Sequence, residues 1–289
     1  MKPKPEPVED LSEWSSVITA QQGWFDFRFK EIWGARDLIK LLVLRDFTAS
    51  CKQTILGPFW FFVPPIFTAL VYMIAFGRIA KVTTPGTAQY LFYFAGVILW
   101  SYFSASLVRT SSTFNTNKEL FGKVYFPRLV MPISVLITNL INFAFQFALF
   151  AILFVPAWYF GAPAHPNWRI VVLPVLIFQM AALGFGAGCI ASALTTRYRD
   201  MALAVTFGTQ LMMFVSCVVT PLEKVPPDYR WLFILNPMVP IIESFRYAFL
   251  GTGVIQLWQL VLSFCMSMVI LVVGLIMFTR VQRTVMDTA

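Results

Sequence analysis

Charged positions are unevenly spread along this chain. Six stretches contain no Asp, Glu, Lys or Arg: residues 53–77, 82–108, 129–168, 170–196, 201–222 and 247–279. The shortest has 22 residues. A helix needs roughly 20 apolar residues to cross about 30 Å of hydrocarbon. Each stretch therefore predicts one membrane-spanning helix, near 55–77, 88–108, 130–156, 170–194, 201–221 and 255–279. The third stretch would hold two crossings only with a tight turn near Pro156. One long helix is the reading adopted, followed by an outer loop over 157–168 rich in Pro, Gly and Trp. The expected fold is an all-α integral membrane protein, with a six-span domain over 54–280.

The polar remainder divides accordingly. Residues 1–29 read as a polar cytoplasmic lead and 281–289 as a tail. Residues 30–53 read as an amphipathic helix on the membrane surface. At 100° per residue, Ile32, Ala35, Leu38, Ile39, Leu42 and Val43 share one arc of roughly 140°, and Arg36, Asp37 and Lys40 lie opposite. Asp46 falls on the apolar arc and needs a partner; adjacent Arg45 or a turn are the candidates. Residues 117–125 are expected to form a short helix before Pro127. The segment 223–250 has two short apolar runs, 231–235 and 238–242, split by Asn236-Pro237. Neither run is long enough to span, so they read as re-entrant or interfacial helices between the fifth and sixth spans.

Composition agrees with lipid as the solvent: 58% of residues are hydrophobic and 12% charged, where soluble domains carry about 25% charge. With six spans, one side of the membrane receives 16 Lys/Arg and the other six. The richer side is expected to be cytoplasmic, which places both termini there. The net charge of +8 is thus a topology signal. No basic stripe stands apart from the membrane flanks, so nucleic acid is not an expected partner.

The chemistry is notable for what is missing. Cys51, Cys189, Cys217 and Cys265 are far apart, with no C-x-x-C pair, so neither a disulfide framework nor a redox motif is implied. His165 is the sole histidine, which argues against a zinc site. Gly122-Lys123 is followed by Val124 and lacks the upstream glycine of a P-loop. Ion-coupled carriers usually place Asp, Glu or His within the membrane, and the spans carry none. A protein of this kind that moves solute uphill needs energy from another subunit.

The spans do carry Asn139, Asn142, Gln146, Gln179 and Gln210. These amides either bond helix to helix or line a polar pathway. The clustered aromatics either meet lipid and its interface or present apolar faces to sugar rings. The candidates for a channel wall are Phe59, Trp60, Phe62, Tyr72, Tyr93, Trp100, Tyr102, Asn142 and Gln146. Glu243 and Arg246 are three apart and can pair on a helix, structurally or as part of a gate.

Four motifs in order resemble the permease subunit of ABC-2-type polysaccharide exporters, which carry O-antigen, teichoic acid or capsule precursors. The first is Arg45-Asp46-Phe47 with Lys52-Gln53-Thr54-Ile55-Leu56-Gly57-Pro58-Phe59-Trp60. The second is Asn117-Lys118-Glu119-Leu120 with Tyr125-Phe126-Pro127-Arg128-Leu129. The third is Tyr198-Arg199-Asp200. The fourth runs from Asn236-Pro237 through Glu243-Ser244-Phe245-Arg246 to Leu250-Gly251. The resemblance covers about residues 28–280. It implies a homodimeric permease in the bacterial inner membrane, served by two separate ATPase subunits that bind ATP and Mg; the permease itself needs no cofactor. It implies that Arg45, Asp46, Lys118, Glu119, Tyr125, Arg128, Arg199 and Asp200 couple to the ATPase. It also implies an outer gate that includes Asn236, Pro237, Glu243 and Arg246. The expected cargo is a lipid-linked polysaccharide, such as undecaprenyl-pyrophosphate-linked O-antigen. The competing classes are a membrane glycosyltransferase, for which an acid/base constellation is missing, and a passive channel or secondary carrier.

Overall fold

The computed structural model describes residues 29–52, 54–82, 87–117, 126–161, 163–198, 200–253 and 255–287. All regular structure among them is helical, with no strand. Among the described residues, five helical segments are long and apolar enough to cross a membrane: Gly57–Ile79, Gln89–Ser111, Val130–Tyr159, Trp168–Arg197 and Leu257–Gln282. A sixth apolar helix, Met201–Val215, is shorter. The chain is therefore a multi-pass membrane protein.

The surface segment forms two helices, α1 (Phe29–Gly34) and α2 (Arg36–Cys51). The apolar arc of α2 covers the start of another helix: Leu42 is buried with Val130 and Met131, and Ala35, Leu38 and Ile39 pack alongside. The first spanning segment is built in three pieces. A 3-10 turn at Gly57–Phe61 leads into α3 (Val63–Tyr72), which passes into a π-helical stretch at Met73–Ile79. Pro64 and Pro65 fall in the first turn of α3, where a missing N–H costs little. Only Pro65 and Ala69 of α3 are buried.

The centre of the molecule is α4 (Gln89–Ser111), buried over most of its length. A four-residue helix, α5 (Thr113–Thr116), follows it. Against α4 lie α6 (Val130–Tyr159) and α7 (Leu173–Arg197), with α7 entered through a 3-10 turn at Trp168–Val172. Next come α8 (Met201–Val215), α9 (Pro227–Ile234), α10 (Met238–Leu250) and α11 (Leu257–Asp287). The last helix continues past residue 280, where the sequence placed the end of the six-span domain. The most extensive helix pairing is α7 with α11. It depends on glycine: a Cβ on Gly274 would overlap the Gly186 carbonyl. Close backbone approach of this kind drives association where lipid removes the hydrophobic incentive.

Helix α10 is clamped by phenylalanines. Phe245 packs tilted and Phe249 edge-on against Phe150 of α6, with centroids 5.3 and 5.4 Å apart. It ends at Gly251 with φ +75°, the left-handed C-cap that glycine adopts without strain. The loop before α7 then caps the helix: the Asn167 N–H donates to the Ala248 carbonyl at 2.8 Å, and its side-chain amide donates to Tyr247 at 3.1 Å.

Candidate functional site

A cavity of about 330 Å³ opens between the entry turn with α3, α4 and α6, closed on one side by Met213. Its shape follows from the local chain. Gly57 takes φ +52° and turns the backbone so that Trp60 and Phe61 face α6. A stack of Phe47, Phe61 and Phe145, with centroids 5.6 to 6.1 Å apart, fixes this entry turn between α2 and α6. Gln146 then donates through Nε2 to the Phe61 carbonyl at 3.4 Å.

The wall is mixed. Trp60, Trp100 and Phe143 supply aromatic surface; Thr68, Ser101, Tyr102, Ser104, Asn139, Asn142 and Gln146 supply neutral polar groups. No charged residue lines it among the described residues. Five of the nine sequence candidates therefore meet here: Trp60, Trp100, Tyr102, Asn142 and Gln146. Four do not. Phe59 is 66% exposed on the outside of the entry turn. Phe62 packs edge-on against Phe59 and Phe145. The Tyr72 hydroxyl donates to the Met213 sulfur at 3.3 Å. Tyr93 is fully buried in the core beside Phe92. Sequence reasoning left Asn139 off the wall. The signal was present, because Asn139, Asn142 and Gln146 are spaced by three and four and so share one helix face.

The α2 end of this cavity carries a charged relay. Arg109 at the end of α4 donates through Nη1 to Asn139 Oδ1 at 3.2 Å and through Nη2 to Asp46 Oδ2 at 3.5 Å. Arg45 also holds Asp46, at 2.9 Å. Asn139 passes the chain on, donating to the Ser106 hydroxyl at 3.3 Å. Asp46 thus finds a partner on α4 as well as its neighbour. Arg128 donates to the Gln282 carbonyl at 3.0 Å, linking the chain before α6 to α11. Asp200 precedes α8, and its carbonyl accepts from Leu203 and Ala204. The remaining coupling candidates, Lys118, Glu119, Tyr125 and Arg199, lie outside the described residues, as does most of the expected short helix over 117–125.

At the α9–α10 end, the four gate candidates fall into two sets, Asn236 and Pro237 at the start of α10 and Glu243 with Arg246 further along it. Arg246 and Glu243 are buried and paired at 3.4 Å. Arg246 also donates to the carbonyls of Cys217 and Val218, each at 2.7 Å, and of Phe92 at 3.3 Å; its guanidinium lies 3.6 Å over the Phe92 ring. Asn236 donates to Ser216 at 2.8 Å and accepts from the Met238 N–H at 3.0 Å, an Asx turn just before the Pro237 N-cap of α10. The Pro237 carbonyl accepts from Ser263 of α11 at 2.6 Å.

The ABC-2 type transporter model matches residues 37–250, spanning the surface helix, the cavity and the Glu243–Arg246 pair. The chain belongs to the ABC-2 type transporter family. Among similar proteins, the O-antigen export system permease protein RfbA of Klebsiella pneumoniae is 24% identical over 247 residues, covering 85% of this chain and 92% of that protein. RfbA of Myxococcus xanthus is 29% identical over 222 residues, covering 76% and 83%. The polysialic acid transport protein KpsM of Escherichia coli is 26% identical over 213 residues, covering 73% and 80%. In this ABC-2 permease, the described residues hold no cluster of three or more His, Cys, Asp or Glu that suits a metal ion.

Proposed function

We propose that this ABC-2 permease forms the conduit of an ATP-driven exporter that moves a lipid-linked polysaccharide, an undecaprenyl-pyrophosphate-linked O-antigen, across the bacterial inner membrane. The observation that carries this reading is the cavity of amides, hydroxyls and aromatic faces between α3, α4 and α6. A buried sugar hydroxyl left unpaired costs several kcal/mol. A neutral polar wall with flat apolar faces offsets that cost, and the permease relatives transport O-antigen or polysialic acid.

The chain crosses six times in this reading. Helix α8 is the fifth crossing, with α9 and α10 dipping into the far leaflet and returning. Both termini are cytoplasmic, where the Lys/Arg excess belongs. Two copies enclose the channel, and the exposed apolar faces of α3 and α8 suit that pairing: Phe67 and Val71 on one, Leu203 and Phe207 on the other. Two ABC ATPase subunits, holding ATP and Mg, grip α2 and the loops around Arg128 and Asp200. The permease does no chemistry and binds no nucleic acid. A capsule glycan is the second reading, favoured by the similarity to KpsM.

The test is export itself. In cells lacking this gene, lipid-linked glycan should accumulate inside and disappear from the surface, and the intact gene should restore it. Ser104→Trp, which fills the cavity, should not restore it despite normal expression. Unchanged surface glycan in the deletion strain removes the exporter reading.

A further inference from the structure

The wall of the cavity between α3, α4 and α6 has a definite polarity. The side-chain amide of Gln146, 7% exposed, spends its N–H on the Phe61 carbonyl and leaves Oε1 free. Asn142 Oδ1, one turn earlier, is also buried without a partner. A buried acceptor without a donor costs about 1–3 kcal/mol, and in a native protein such groups call for an explanation. The other polar wall groups, among them Thr68, Ser101 and Ser104, are neutral. Arg109 reaches Asn139 from one end, but Asp46 and the Asn139 oxygen already engage it.

This arrangement offers two unpartnered amide oxygens, an unpartnered Tyr102 hydroxyl and no unengaged cation. A sugar hydroxyl donates to an amide oxygen and relieves it. A carboxylate or phosphate on the sugar only accepts. It would face those two oxygens in a confined site without a counter-charge, and an unpaired buried charge is strongly disfavoured. We propose that this cavity selects an uncharged, hydroxyl-rich glycan over an anionic one, with Asn142 and Gln146 as the residues that set the selectivity. The proposal rests on the exporter reading and narrows it to polymers with neutral repeating units, against an acidic capsule glycan; the single lipid-borne pyrophosphate of that reading passes once, whereas the repeating units meet the wall again and again.

Two measurements test it. The first is the sugar composition of the glycan lost from the surface when the gene is deleted. Neutral sugars are expected; uronic acids, sialic acids or phosphate in the repeating unit overturn the proposal while leaving the exporter reading intact. Loss of no glycan removes the exporter reading instead. The second is binding to the assembled permease–ATPase complex in lipid nanodiscs, followed by the fluorescence of Trp60 and Trp100 on the wall. A neutral mannose oligosaccharide should bind at least tenfold more tightly than a galacturonic acid oligomer of equal length. Asn142→Lys should shrink that ratio at least tenfold at unchanged melting temperature. Equal binding of the two oligomers, binding of neither, or an unchanged ratio in the Lys variant overturns the selectivity assigned here.

Discussion

Arg246 on α10 donates to the Val218 carbonyl at 2.7 Å, across the turn that terminates α8. The same guanidinium takes the carbonyls of Cys217 and Phe92 and pairs with Glu243. Cys217 and Val218 follow the last residue of α8, Val215, and buried carbonyls in such a non-helical segment need a donor. Here one arginine from a different helix supplies it, and Cys217 is held at φ +55°, an unusual conformation for a residue with a side chain. Helices α4 and α10 and the segment after α8 therefore meet on a single side chain.

Replacing that arginine should be severe. Arg246→Met leaves buried carbonyls without donors and Glu243 without its counter-charge, a loss of about 3–5 kcal/mol. The melting temperature in detergent should fall sharply, and Arg246→Lys should recover only part, because an ammonium cannot reach along the fork of a guanidinium. Glu243→Gln should cost less, since the carbonyl bonds remain. A Met variant that melts with the native protein would show that these bonds do not hold the segment after α8.

The α7–α11 crossing gives a second stability test with an internal control. Gly274→Ala places a methyl group against the Gly186 backbone, and backbone cannot rotate away as a side chain can. Overpacking of this kind costs typically 1–3 kcal/mol. Gly208 on α8 has nothing within 4 Å of an added Cβ. Gly208→Ala should therefore be neutral or stabilising by up to about 1 kcal/mol, through helix propensity. Thermal melts of the two variants should move in different directions, or at least by clearly different amounts.

The same contrast explains what could be read without coordinates. Charge-free stretches announce long helices because hydrocarbon penalises any charge, and five such helices are long enough to span. The stretch over 201–222 gave a helix only to Val215. The segment that follows is held by Arg246, about thirty positions away, and local composition holds no trace of that contact. Asp46 was legible as a residue needing a partner, whereas Arg109 was not legible as the partner, since the pairing depends on how α2 lies across the bundle. On α6 the polar face was visible in the spacing of Asn139, Asn142 and Gln146. On α4, aromatic residues point in every direction because the helix is enclosed on nearly all sides. Trp100 and Tyr93 are alike in sequence terms, yet one lines the cavity and the other fills the core.

The Asp46–Arg109 contact predicts a functional defect larger than its structural one. Both side chains keep some solvent exposure, 17% and 41%, so the pair contributes about 0.2–1 kcal/mol to stability. Arg109→Leu should change the melting temperature little. It should nevertheless uncouple ATP hydrolysis from export in the assembled transporter, because it cuts the link from α2 to Asn139 on the cavity wall. Exchanging the charges, Asp46→Arg with Arg109→Asp, should recover part of the coupling relative to either single change. Additive losses in the double variant would mean that the two residues act separately.

The crossing by α8 can be decided by labelling from one side. Its 15 residues rise about 22 Å, short of the roughly 30 Å of a typical hydrocarbon core. The non-helical residues that follow, held by Arg246, would have to complete the passage, and their backbone is acceptable at depth only because protein satisfies it. If α8 crosses, Tyr198 before it and Lys224 after it lie on opposite faces of the membrane. Both are exposed, so each can carry a single cysteine in a background lacking Cys51 and Cys265. Cys189 and Cys217 can stay, because both are buried and inaccessible to a bulky maleimide. A membrane-impermeant maleimide added to intact spheroplasts should label Lys224→Cys and spare Tyr198→Cys until the membrane is opened. Equal labelling of the two before permeabilisation would place α8 as a surface or hairpin element and reduce the crossings to five, which would put the two termini on opposite sides.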